Sequence, residues 1–239
     1  MKKSVWAGAL AACSLVAGCG GNPAPKATSS APTTTPAPPP PPIMTSALEG
    51  LLLSPEQISA AMGTTGLKVT GTITVVADYS ANVADVDCRI VGETAEKTAY
   101  FGSGWSAVQG QYLDDAGDIA RDKYFVQQAL VLFPSAGEAA AFFTSTAPRW
   151  SACANRSYVA TNDGQTFDVW DVGPVSNNGG TLSVMKTEEK SNGWACQRAL
   201  TVANNVAFDV MGCSYNPADS AVKIAHQIGQ GITTGGPGR

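Results

Sequence analysis

A chain of 239 residues with 44% hydrophobic and 14% charged side chains is long and apolar enough to build one domain with a sizeable core. Nineteen acidic against 15 basic side chains give a net charge of −4 without a basic cluster, which argues against nucleic acid and anionic lipid headgroups as partners. With His226 the only histidine and no Cys-x-x-Cys pair, the chain lacks a zinc ligand set, and no cofactor is expected.

Lys2 and Lys3 precede an apolar run from Val5 to Val16, which ends in Val16-Ala17-Gly18-Cys19. The run is too short to span a bilayer, and the small residues before the cysteine resemble a bacterial lipobox. Residues 1–18 are therefore expected to be a signal peptide, with Cys19 acylated and its lipid partner the outer face of the cell membrane. Loss of Lys2 and Lys3 takes the net charge from −4 to −6. Residues 19–45 carry nine prolines among threonines and serines, the composition of an extended stalk at about 3.1 Å per residue. The globular domain is expected over 46–232, and 233–239 as a tail.

Ser54, Pro55 and Gln57 spell a helix start with a capping box, stapled by Leu53 and Ile58 and stopped by Gly63. A second helix starts at Ser135 with Glu138 three residues on, and Pro148 is expected to end it. Asn216 to Asp219 begins a third, with an apolar stripe of Ala221, Val222, Ile224, Ala225 and Ile228. Strand-like stretches lie near Val69–Ala77, Trp105–Leu113, Tyr124–Phe133, Ser157–Thr161, Phe167–Val172, Leu182–Lys186, Cys196–Val202 and Val206–Cys213. The fold class is α+β, a single domain with a largely antiparallel sheet flanked by helices.

Asn204-Asn205 separates two alternating runs and is read as a two-residue type I′ turn. The register then places Leu200 opposite Asp209, Arg198 opposite Met211 and Cys196 opposite Cys213, a pair positioned for a disulfide. Cys13 leaves with the signal and Cys19 is acylated, so elimination couples Cys88 to Cys153.

Leu51 to Ile58, Gly102 to Gly110, Val131 to Glu138, Trp194 to Asn205 and Asp209 to Cys213, with the four cysteines, resemble a known family. It comprises the extracellular sensor domain of mycobacterial serine/threonine protein kinase H and free-standing lipoprotein relatives. The resemblance covers about 46–232 and implies an α+β domain, an antiparallel sheet, two disulfides and a cleft for an unidentified ligand. It supplies no catalytic mechanism. Neither a kinase catalytic domain nor a transmembrane helix is read in these residues, so a signalling role is not expected to travel with the fold.

Arg198 and Asp209 lie diagonally across the hairpin, on the face of Cys196, Trp194 and Tyr215. They are expected to line a polar cleft suited to a carboxylate or sugar; the structural alternative is an ion pair on a half-exposed sheet face. Trp105 offers a stacking surface, and Gln109, Gln111, Gln127 and Gln128 offer neutral hydrogen-bonding groups or solvent-facing strand positions. Gly102 to Trp105 precedes a strand and is read as a turn, Glu188 to Lys190 as a solvated loop. His226 lacks a nucleophile motif, and the acidic pairs Asp85/Asp87, Asp114/Asp115 and Asp118/Asp122 lack the spacing of a calcium loop. The expected function is a non-catalytic envelope lipoprotein that binds a small ligand or an envelope protein. A carboxylate-dependent cell-wall hydrolase and a structural envelope protein without ligand are the alternatives.

Overall fold

Strand runs whose side chains alternate between two hydrophobic layers need cover on both faces, and the computed structural model supplies it. Residues 40–82, 87–116, 123–162 and 165–233 are described; the signal, Cys19 and most of the stalk lie outside them, as do Asp85, Asp118 and Asp122. The strands are β1 (Lys68–Ile73), β2 (Ala107–Asp114), β3 (Tyr124–Leu132), β4 (Ser157–Asn162), β5 (Gln165–Val172), β6 (Ser176–Asn178), β7 (Thr181–Glu188), β8 (Ala195–Ala203) and β9 (Val206–Ser214). All named pairings are antiparallel, in the order β1-β2-β3-β9-β8-β7-β5-β4, with β6 added to β7. Neither β6 nor the four-residue helices α1 (Leu48–Leu51) and α3 (Lys97–Tyr100) was expected; elements this short leave little periodic signal.

One face of the sheet packs against α1, α2 (Pro55–Met62) and α5 (Ser220–Thr233), where Leu48, Ile58, Phe208, Val210, Ile224 and Ile228 are buried together. The other packs against α3, α4 (Ala136–Ser151) and the 3-10 turn Asp87–Val91, around Ile90, Tyr100, Phe133, Phe142 and Trp150. The capping box at Ser54 forms, and Gly63 ends α2 at φ 71°. Helix α4 starts at Ser135 as expected but runs through Pro148 to Ser151. Proline removes one helical hydrogen bond, and the extension offsets that loss by burying the whole of Trp150. Helix α5 is capped from a distance: Gln197 Oε1 accepts from the backbone amides of Ala221 and Val222, at 3.0 and 3.3 Å.

The β8–β9 register matches the expected one residue for residue, and both disulfides, Cys196–Cys213 and Cys88–Cys153, are formed. The turn differs from type I′, because Asn204 alone takes a positive φ, 50°, where that type needs two such residues. Asn205 serves another purpose. Its Oδ1 accepts from Ile43 N at 2.7 Å, while its Nδ2 donates to Ile43 O at 3.0 Å and Phe133 O at 2.7 Å. Asn204 Nδ2 donates to Pro41 O, so residues 41–43, assigned in sequence to the stalk, are bonded to the turn between β8 and β9.

The two bridges close loops of different length, 65 and 17 residues of separation, which the chain-entropy model values at about 4 and about 3 kcal/mol. Paired Cys88→Ser/Cys153→Ser substitution is therefore expected to lower unfolding free energy more than Cys196→Ser/Cys213→Ser, measured by urea denaturation. A reversed order would mean that native-state packing, not loop closure, sets the contribution.

Candidate functional site

Arg198 and Asp209 occupy central strands covered on both faces, where an unpaired charge costs several kcal/mol. Each neutralises the other. Arg198 Nε and Nη2 donate to Asp209 Oδ1 at 2.8 and 2.5 Å, and both side chains are 1% exposed. Asp209 Oδ2 accepts from the Tyr100 hydroxyl at 2.9 Å and the Ala95 amide at 3.0 Å. Arg198 Nη1 donates to Ile90 O, and the guanidinium sits 5.3 Å from the centre of the Trp150 ring. Burial, and next the charge of Asp209, hold the Tyr100 hydroxyl well above the ordinary tyrosine pKa.

The expected position of this pair is thereby corrected: α4 and residues 87–100 cover the sheet face on which it stands, so it lines no open cleft. The other expected cleft residues disperse. Trp105 is partly buried against the core beside α4. Gln109, Gln111 and Gln128 point to the opposite face of the sheet, in register with Leu130 and with each other. Gln128 clasps the backbone of Leu53, accepting from its amide and donating to its carbonyl. Trp194 and Tyr215 stack edge to face at 5.4 Å beside the Cys196–Cys213 end of the hairpin.

Two further buried side chains join the ion pair in fastening the 87–100 segment. Lys186 is 2% exposed; its Nζ donates to Gly92 O and Tyr158 OH and lies 4.6 Å from the Trp170 ring. Burial draws its pKa down to about 8. Gln127 Oε1 accepts from the amide and hydroxyl of Thr94, while Nε2 donates to Glu93. Ile90, Gly92, Thr94, Ala95 and Tyr100 are thus each tied to the sheet by a buried polar group. Lys186 could have been found from its register: it faces Cys196, whose side chain points inward.

The outer surface of the fastened segment forms, with α4, a hollow of about 270 Å³ lined by Asp78, Ser80, Lys97, Thr98, Phe101 and Arg149. Lys97 Nζ pairs with Asp78 Oδ2 at 2.8 Å, and Asp78 Oδ1 accepts from the amide and hydroxyl of Ser80. Lys97 first, and Ser80 next, hold the Asp78 carboxyl far below the usual carboxylate range. Arg149 Nη2 donates to Thr98 O at 2.6 Å, and Phe101 is 79% exposed. Both walls trace back to the buried pair: Asp209 holds Ala95 and Tyr100, which flank Lys97 and Thr98, and Arg198 lies over Trp150, the neighbour of Arg149. None of these lining residues carries a motif, and they come from three separate stretches of chain.

His226 is exposed, with Nε2 3.1 Å from Thr181 Oγ1. Glu188 does not sit in a solvated loop; it ends β7 and is hydrogen-bonded to Asp168, with its pKa pushed up to about 7 by partial burial and by that neighbour. Carboxyl groups in direct contact leave no gap of about 5 Å or more for a sugar or water between them, as glycoside hydrolysis requires. Among the described residues, no group of three or more His, Cys, Asp or Glu could hold a metal.

Arg198→Ala is expected to destabilise the protein by about 3–5 kcal/mol in chemical denaturation, since Asp209 would remain buried without its counter-ion. A loss below about 1 kcal/mol would contradict the account. Lys186 generates a pH signature. Its folded pKa, about 8, lies below the unfolded 10.5, so the unfolded chain binds more protons between those values and stability rises with pH through that window. Denaturation at several pH values should show this rise in the wild type, and Lys186→Met should flatten it.

A family model described as the PknH-like extracellular domain matches residues 43–230. Serine/threonine-protein kinase PknH of Mycobacterium bovis is 34% identical over 181 residues, 76% of this chain and 30% of the kinase. PknH of Mycobacterium tuberculosis is likewise 34% identical, over 76% of this chain and 28% of the kinase. The chain therefore spans less than a third of the length of these relatives. The crystal structure of the extracellular domain of PknH from Mycobacterium tuberculosis superposes with a TM-score of 0.77 at 32% identity, covering 81% of this chain and 98% of that one.

Proposed function

The chain belongs to the PknH-like extracellular domain family, and from that premise we propose that it is an exported, lipid-anchored recognition domain that binds an unidentified small ligand or envelope protein without catalysis. The observation that carries the reading is the hollow at Phe101 and Arg149, an open surface site whose two walls are braced by an internal ion pair. Rigid support beneath an exposed, mixed aromatic and charged surface is what recognition requires, because a preorganised site loses little entropy on binding. Export is supported by the two disulfides, which suit an oxidising compartment, and by the Lys2-Lys3 start with its apolar run. Val16 to Cys19 supports anchoring at Cys19. A signalling role like that of the kinase does not follow from the shared domain.

Cys19→Ser is expected to move the protein from the membrane fraction to the soluble fraction of a detergent-free lysate; persistence in the membrane fraction would defeat the anchor. Native mass spectrometry of the purified protein after incubation with envelope extract should show a retained, unaltered adduct. Turnover of an envelope component by the pure protein would overturn the non-catalytic reading.

A further inference from the structure

Charge in the hollow decides what it can take. Lys97 is paired with Asp78 and also feels the buried Glu96 carboxylate, which holds Thr98, whereas Arg149 donates to a backbone carbonyl and, among the described residues, forms no ion pair. The positive group left without an ion-pair partner among the described residues is therefore the Arg149 guanidinium, with one N–H engaged by Thr98 and the others open to a ligand. Such a fork matches the two oxygens of a carboxylate. A single positive charge balances a monoanion and leaves a phosphate monoester, close to a dianion, under-neutralised.

Phe101 supplies the second element of selection. An aromatic side chain left 79% exposed at the mouth of a hollow is a platform on which the apolar face of a ring can lie. Around it stand groups that suit sugar hydroxyls: the Asp78 carboxylate, the Ser80 oxygen and the Lys97 ammonium. At about 270 Å³ the hollow lies just below the usual range of small-molecule pockets, so it holds one ring and not a chain of them.

We propose that the hollow binds a monoanionic sugar acid, with the carboxylate on Arg149 and the ring face on Phe101. The inference rests on the reading of this hollow as the recognition site. Arg149 and Phe101 are exposed, so Arg149→Gln and Phe101→Ala leave the core intact, which unchanged thermal melting would verify.

The test uses the full chain carrying Cys19→Ser, titrated with glucuronate, glucose, acetate and benzoate while backbone amide NMR signals are followed. Glucuronate is expected to shift the signals of Lys97 to Phe101 and the side chain of Arg149, with glucose, acetate and benzoate at least about tenfold weaker. Arg149→Gln and Phe101→Ala should each weaken glucuronate by about tenfold, equivalent to about 1.4 kcal/mol. Arg149→Lys should retain part of the affinity, since it keeps the charge and loses the fork. Glucose binding as well as glucuronate, unaffected by Arg149→Gln, would overturn the anion and leave the hollow as the site. Benzoate binding as well as glucuronate would overturn the sugar. No response to glucuronate would overturn the proposal outright. Shifts confined to residues away from the hollow would overturn the hollow itself, as would retention of an envelope ligand by Phe101→Ala/Arg149→Gln in native mass spectrometry.

Discussion

The ion pair between Arg198 and Asp209 is the interaction on which the arrangement of this domain turns. Buried ion pairs add little net stability compared with well-packed apolar side chains, because desolvation consumes most of the Coulombic gain. What this pair contributes is direction. Asp209 has one oxygen for Arg198 and the other for Tyr100 and Ala95, and Arg198 spends its remaining capacity on Ile90 and Trp150. An apolar substitute could fill the volume without specifying where a non-repetitive stretch of chain must lie.

That stretch needs specifying. Residues 87–100 hold only a 3-10 turn and a four-residue helix, and Ala95 takes a left-handed φ of 46°, a conformation that costs a residue with a Cβ about 1 kcal/mol or more. Segments of this kind have little preference of their own. Their order comes from the Asp209 carboxylate, the Lys186 ammonium, the Gln127 amide and the Cys88–Cys153 bridge, all fixed to rigid elements.

How far the sequence could be read follows the range of the interactions involved. The Asn204–Asn205 turn, a local feature, fixed the pairing of β8 with β9 and brought Cys196 to Cys213, and the capping residues at Ser54 and Ser135 marked two helix starts. Pro148 misled because burial of Trp150, a tertiary effect, outweighs a local preference. Arg198 and Asp209 were recognisable as a pair, yet their depth was not, since nothing in β8 or β9 tells how a segment a hundred residues earlier in the chain will cover them. The hollow was illegible for the same reason: Asp78, Lys97, Phe101 and Arg149 meet only after that cover is in place. Gln127 and Gln128, read as hydrogen-bonding or solvent-facing strand positions, turn out to be backbone clasps, as does Gln197.

Asn205 has a mechanical consequence. Its side chain is bonded at once to the incoming backbone at Ile43 and to the end of β3 at Phe133. The start of the described chain is joined to the sheet through this contact, with Asn204 holding Pro41 as well. A handful of hydrogen bonds at a turn yields at lower force than the strand ladders behind it. Residues 41–43 are held by the side chains of one turn, whereas β8 and β9 are joined by a backbone ladder and closed by Cys196–Cys213, so the start of the described chain can come loose while the hairpin stays paired.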